Sequence, residues 1–380
     1  MNEVFKVEHC GSIGIGLIAV RNIKSGTAIV TQKPVISIST DGIIFYSCLG
    51  EKIILSENFT SRLSKICCDR HGKFFQVLKY VNGKAINNNA KVGPCMIKTL
   101  FLIVTEENVN VWSHSNYEKV MKNQSSFALA NIAREALLNF GIDKSIKDIL
   151  RVITCISENS FSIENNHHVY GSALYKPPIT KVNHSCNPNC TIKFSANVIT
   201  MEALRDIRAG KQLFISYTYN VQPRNVRQAN LLEQYGFECK CVYCYGVKAE
   251  YREAMLRFNF CPNKDCRNSA KEVFEKIVEL PLDDEKVMCR IAFRCNYTEY
   301  VPKSVATSLG LLGIDGDYMK CWKCNSTWSS LKLCENESLL VEGVRKDILY
   351  KSLNYTKNWI HTQNLIFGYW LSMLSGHKLY

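Results

Sequence analysis

The stretch Asn183-His184-Ser185-Cys186-Asn187-Pro188-Asn189 is the most specific in this chain, and Asn187-Pro188 punctuates it as a turn. Beyond it, Val198 to Ala203 alternates as a short strand and Arg205-Asp-Ile-Arg-Ala-Gly210 reads as a turn. A second strand is expected from Gln212 to Tyr219, carrying the run Phe214-Ile-Ser-Tyr217. A helix from Asn225 to Tyr235 then delivers the chain to Cys239-Lys-Cys241-Val-Tyr-Cys244. On the N-terminal side, Ile146 to Ile156 reads as a helix. So does Ser125 to Phe140, through Phe127, Ala130, Ile132, Ala133, Ala136, Leu137 and Phe140.

Farther out, residues 4 to 38 read as β-rich. Val4 to Val7 is a short strand, and a glycine turn follows at Gly11-Ser-Ile-Gly14-Ile-Gly16. Alternating apolar residues resume from Leu17 to Val20 and from Thr27 to Ser39, broken by Ser25-Gly26. Residues 40 to 110 carry mixed signals, with a loop at Asn87-Asn-Asn89. After residue 248 a cysteine-containing, loop-rich region is expected to about 335, then helices from Leu339 onward. No internal repeat or low-complexity tract interrupts this order.

With 380 residues, 46% of them hydrophobic and 21% charged, the composition is that of a soluble globular chain of two or three domains. Trp359 to Leu374 is broken by His361, Gln363, Asn364 and Ser372, which favours a packed helix over a membrane span. Glu3, Lys6 and Glu8 stand where a signal peptide needs a basic start and an apolar run. An intracellular monomer without membrane contact is therefore expected. In a reducing compartment the 18 cysteines serve metal binding, catalysis or burial rather than disulfides. Cys239, Cys241 and Cys244, and Cys321-Trp-Lys-Cys324, are close-set in the manner of zinc ligands. Cys10, Cys48, Cys95 and Cys155 stand singly, as core or incidental residues. The net charge of +13 suits acidic partners, including nucleic acid and chromatin. The basic residues are dispersed, however, so a solubilising excess accounts for it equally well.

These motifs in this order resemble the SET-domain protein methyltransferases, and within them the SET-MYND branch. The resemblance covers residues 4 to 38 and about 110 to 247 well, and residues 248 to 380 loosely. It implies an α+β architecture: a β-rich SET fold with a pseudo-knot, a helical insertion, a zinc-bound post-SET segment, a cysteine-rich module and a short C-terminal helical tail. The implied activity is transfer of methyl groups from S-adenosylmethionine to the ε-amine of a lysine on a protein substrate. The Asn183 side chain and the His184 backbone are implied to hold the cofactor's amino-acid and adenine portions. Gly14 and Gly16, lacking a Cβ, let backbone approach its methionine part. Asn159 matches an asparagine lining the same pocket, with a plain loop asparagine as the alternative. Tyr217 matches the family's catalytic tyrosine. Tyr235 and Phe237 match aromatics that border the cofactor and the lysine channel, with ordinary core burial as the alternative. Cys186 is implied as the fourth ligand of a zinc ion held by Cys239, Cys241 and Cys244. A second zinc site is expected from Cys261 and Cys266 with Cys321 and Cys324, Cys289 and Cys295 being possible substitutes for one pair.

The chain departs from the branch in two places. Residues 40 to 110 hold only Cys48, Cys67, Cys68, His71 and Cys95, so the MYND finger is expected to be lost or degenerate. Ile13 replaces a basic or polar residue before the first loop glycine, which would weaken cofactor binding. The expected segments are 1–38 and 111–235 for the SET core and its helical insert, and 39–110 for the insertion. They continue with 236–247 for the post-SET, 248–335 for the cysteine-rich module and 336–380 for the helical tail. Two other readings stay open. One is a catalytically silent, zinc-stabilised adaptor. The other is a nucleic-acid-binding protein using Arg257, Lys264 and Arg267 of the second cysteine module.

Overall fold

A computed structural model describes residues 4–39, 42–46, 52–55, 69–87, 92–105, 123–165, 168–195, 198–220, 222–263, 265–266, 284–292 and 297–329, with a few isolated positions. The expected tail helices after Leu339, and Cys48, Cys67, Cys68 and Cys295, lie outside the described residues. Among the described residues no helix is long and apolar enough to cross a membrane. The chain forms two compact units, one of residues 1–184 and 188–215, the other of residues 185–187 and 216–380.

The first unit holds three sheets. The one bearing the conserved-looking polar stretch is built from β1 (Phe5–His9), β2 (Ile15–Ala19), β12 (Gln212–Ile215) and β9 (Asn183–His184), in that spatial order. β12 is therefore paired on both edges. It runs antiparallel to β2, with Leu213 opposite Leu17, and parallel to β9, with Phe214 opposite Asn183 and Ile215 opposite His184. Parallel partners so distant in sequence require a long crossover, and the intervening chain makes a second antiparallel sheet. In that sheet β11 (Val198–Ala203) lies between β10 (Cys190–Ser195) and β3 (Ala28–Gln32).

The third sheet has the order β6 (Lys52–Leu55), β5 (Gly42–Tyr46), β4 (Ile36–Ser39), β8 (His168–Leu174) and β7 (Ser160–Asn165). Four helices share a core with it: α1 (Asp69–Asn87), α2 (Pro94–Thr105), α3 (Gln124–Leu138) and α4 (Ile146–Asn159). Among the described residues, 40–110, mixed in their sequence signals, thus contribute two strands to this sheet and two helices to its core. Each later helix starts on a cap. The Asn123 side chain accepts from the Ser125 and Ser126 amides, and Ser145 Oγ accepts from the Asp148 amide at 3.1 Å. Asp148 returns the contact, with its carboxylate 2.6 Å from Ser145 Oγ, and this bond holds its carboxyl below the usual range. His71 is buried against the Phe45 ring at 5.2 Å, a core position.

Lys98 of α2 is 2% exposed inside this core. Its Nζ donates to Ser160 Oγ at 2.9 Å and to Ser172 Oγ at 2.6 Å, and burial pulls its pKa down to about 8. In the unfolded chain the ammonium keeps its ordinary affinity for a proton, so between the two pKa values the unfolded state binds more protons. Stability should therefore rise with pH from about 8 to about 10.5, by about 3 kcal/mol in total from this group. Denaturant melts at pH 8 and pH 10 should show that rise in the wild type and a smaller one in Lys98→Met. Equal slopes would mean that Lys98 stays charged in the folded protein.

The second unit takes in residues 185–187 and resumes at Ser216, just before Tyr217. The strand expected to reach Tyr219 stops at Ile215, because the chain turns around Ser216, whose Oγ lies 2.6 Å from both Thr218 O and Asn220 Oδ1. Then come α5 (Arg224–Tyr235) and α6 (Val247–Arg257). The segment expected to be loop-rich after residue 248 is largely regular. It contains α6, the hairpin β13 (Lys286–Arg290) and β14 (Thr298–Pro302), α7 (Lys303–Leu309), and a sheet of β15 (Leu312–Asp315), β16 (Tyr318–Cys321) and β17 (Thr327–Ser329). Its core includes Tyr251, Met255, Phe258, Phe260, Val287, Val305 and Leu309. These strands span only three to five residues each, too short for an alternating pattern to stand out.

Candidate active site and cysteine clusters

In the first unit, the glycine loop and Asn183 come together. The Cys10 amide donates to Gly14 O at 2.6 Å and closes the turn. Gly14 has φ +75, which L side chains rarely adopt, so its glycine is required by conformation. Gly16 packs tightly against two side-chain amides, which a larger residue would push aside. A Cβ there would stand 2.4 Å from Gln212 Nε2 and 2.8 Å from Asn183 Nδ2. Asn183 Nδ2 donates to Ile15 O at 3.1 Å, tying β9 to the loop between the two glycines. His184 is buried, and its backbone runs beside Ile215. Ile13 is half exposed at the loop's entrance.

Two residues absent from the candidate set shape this cradle. Asn189 Nδ2 donates to Gln212 O and its Oδ1 accepts from the Phe214 amide, both at 2.8 Å, so one buried side chain clamps the start of β12. Gln212 Nε2 is buried and makes no hydrogen bond, a donor left over for a polar ligand group. Neither has a spacing signal, since each works through a strand pairing distant in sequence. Asn159 is the last residue of α4 rather than a loop residue. It is fully buried, Nδ2 donates to Cys155 O at 2.7 Å, and Oδ1 has no partner.

In the second unit three aromatics gather. The Tyr217 and Tyr235 rings lie 4.7 Å apart at 42°, with Phe237 at 6.5 Å from Tyr217 and 6.4 Å from Tyr235. Local sequence explains the last two. α5 ends where Gly236 adopts φ 77, and this left-handed cap reverses the chain between Tyr235 and Phe237. Burial pushes the Tyr235 phenol above its ordinary pKa, so it stays neutral.

The aromatics pack on the first cysteine cluster. The sulfurs of Cys186, Cys239, Cys241 and Cys244 all lie within 4.8 Å of one another, although Cys186 and Cys244 are 58 positions apart in the chain. α5 positions this cluster. Gln228 donates to Cys239 O at 2.7 Å and accepts from its amide at 2.8 Å. Contact with Cys186 holds the Cys241 thiol far below its ordinary pKa and, with Cys239, holds Cys244 at about 7. Contact with Cys239 pushes Cys186 far up. Four crowded thiols contending for protons in this way form the donor set a dication would bind as four thiolates.

The second cluster joins Cys261 and Cys266 to Cys321 and Cys324, again within 4.8 Å. Cys261 Sγ is 3.5 Å from Cys324 Sγ, and Cys266 Sγ is 3.8 Å from Cys321 Sγ. The Lys323 and Cys324 amides donate to Cys321 Sγ, and contact with Cys261 holds that thiol at about 5. Cys289 stands outside the cluster in β13, buried, with its thiol pushed up to about 12 by desolvation. Both clusters have the chemistry and closeness to hold zinc.

The chain is similar to several known proteins. It is 26% identical over 266 residues to the histone-lysine N-methyltransferase SMYD3 of Mus musculus, covering 64% of this chain and 62% of that protein. The human SMYD3 is 24% identical over 319 residues, covering 77% of this chain and 74% of that one. Human N-lysine methyltransferase SMYD2 is 29% identical over 122 residues, 32% of this chain and 27% of that one. The chain thus spans less than two thirds of the mouse relative. A solved structure of Rubisco LSMT bound to AdoMet aligns over 98% of this chain and 88% of that one, with a TM-score of 0.32 and 11% identity. The family profile described as SET domain matches residues 14–218, more than half of the chain. Its match starts at the first loop glycine, takes in Asn183 and His184, and ends just past Tyr217: this protein belongs to the SET domain family.

Proposed function

We propose that this protein transfers a methyl group from S-adenosylmethionine to the ε-amine of a lysine on a protein substrate. The observation that carries the reading is the cradle in which Gly16 meets the Asn183 and Gln212 side chains so closely that a larger residue there would have to displace them. Gly14, Gly16, Asn183 and His184 would hold the cofactor, and Gln212 Nε2 and Asn159 Oδ1 are buried polar atoms left for a ligand. When bound, S-adenosylmethionine supplies the electrophilic methyl group.

The chain's own residues do the rest. Tyr217, Tyr235 and Phe237 form an apolar wall that excludes water from the lysine. Desolvation lowers an amine's pKa, so the lysine sheds its proton and presents a lone pair. Tyr217 would hold the amine in line for the methyl group that the cofactor supplies. The four cysteines of the first cluster would hold zinc and with it the segment that carries Phe237. Clusters of four reduced cysteines are in keeping with an intracellular protein.

Calorimetric titration with S-adenosylmethionine is the direct test. Binding is expected in the wild type and at least about tenfold weaker binding in Asn183→Ala, for the loss of one charge-assisted or bridging hydrogen bond. No heat and no thermal stabilisation of the wild type at saturating cofactor would replace this reading with the adaptor. Nothing favours the nucleic-acid alternative: Arg257 is engaged by Glu299 and Glu253, and Lys264 and Arg267 lie outside the described residues.

A further inference from the structure

Arg227 is among the largest fully buried side chains of the protein, at 0% exposure. Its whole guanidinium is spent on the first cysteine cluster and the chain around it. Nε donates to Cys186 Sγ at 3.3 Å, and Nη2 donates to Tyr243 O at 3.1 Å and to Cys244 Sγ at 3.7 Å. Nη1 donates to Gln222 O. Burying an arginine without a counter-charge is costly. Among the described residues no carboxylate forms an ion pair with it, and the like-charged Arg252 lies near enough to repel it, so the two sulfurs are the groups that can offset its charge.

The charges explain the arrangement. Four thiolates around one zinc ion leave two surplus negative charges in a buried place, and a guanidinium offsets one of them. Its flat fork reaches two sulfurs and two carbonyl oxygens from one position, four acceptors where an ammonium has three donors. We infer that Arg227 is the positioning residue that retains zinc at the first cluster. Its hydrogen bonds to the Cys186 and Cys244 sulfurs hold both ligands in place and so oppose the ion's departure. This inference rests on zinc occupying the first cluster, as the proposed function requires. It adds that retention depends on a residue outside the ligand set. The second cluster is an internal comparison, because the donors to Cys321 there include the backbone amides of Lys323 and Cys324.

The test is zinc release from the full chain into a chromophoric chelator, followed in time. The phase belonging to the first cluster is the one that Cys241→Ser abolishes. Arg227→Met should speed that phase by about ten- to a hundredfold, the usual cost of removing an outer-sphere partner, and leave the other phase unchanged. Arg227→Lys, which keeps the charge but not the fork, should fall between. If Arg227→Met fails to fold, Arg227→Lys against wild type carries the test alone. Cobalt substitution gives a second reading, since loss of a donor to a thiolate shifts the sulfur-to-metal charge-transfer band. An unchanged first phase in the folded variant, or equal acceleration of both phases, would overturn the inference. A wild-type protein with no zinc at the first cluster would instead remove the premise it shares with the proposed function, and the two failures are thereby distinguished.

Discussion

Tyr217→Phe should lower methyl-transfer turnover by about a hundredfold while leaving S-adenosylmethionine affinity nearly unchanged. The substitution keeps the ring, which lies 4.7 Å from Tyr235 and 6.5 Å from Phe237, so the aromatic wall survives. Only the hydroxyl is lost. A group that aligns the amine for in-line attack matters most at the transition state, so the loss belongs in kcat and kcat/KM together rather than in KM. Single-turnover kinetics with saturating cofactor and a lysine peptide pool would measure the effect. Full activity in the variant would remove Tyr217 from the mechanism, and weakened cofactor binding would move it into the cradle.

Cys241→Ser should reduce the zinc content from about two ions per chain to about one. Structural zinc contributes roughly 10–16 kcal/mol of apparent binding free energy in small modules, so losing a thiolate leaves the segment around it without its main tie. Cys239, Cys241 and Cys244 follow α5 closely, and the aromatics pack on them. Limited proteolysis should therefore cut residues 236–247 in the variant. The core around α1 to α4, which contains no cluster cysteine, should stay protected. Metal analysis of protein purified without added zinc checks the stoichiometry. A value of one in the wild type falling to zero would rule out the second site, and a value untouched by the substitution would rule out the first.

Much of this was legible before any coordinates. The helices expected at 125–140 and 146–156 from apolar spacing, a local signal, are found at 124–138 and 146–159, their starts set by the Asn123 and Ser145 caps. The same holds for α5 with its Gly236 stop and for the cysteine triplet beyond it. Other elements were not legible. The strand before Tyr217 ends early because Ser216 engages Thr218 and Asn220, a side-chain choice that an alternating pattern does not reveal. Strands of three or four residues carry too few repeats of their period to be recognised.

The sequence by itself determined the family, the ligand types and the residues whose chemistry is local: a glycine loop, an asparagine–histidine pair, and cysteines at zinc spacing. Only the tertiary structure decided which of them meet. It brought Cys186 to Cys244 across 58 positions and Cys266 to Cys321 across 55. It set Gly16 against Gln212, and made Asn189 a clamp and Arg227 the partner of two sulfurs. The physical reason is that periodicity and caps act over one or two turns of chain, whereas a parallel strand pair or a four-sulfur cluster exists only once distant segments have packed.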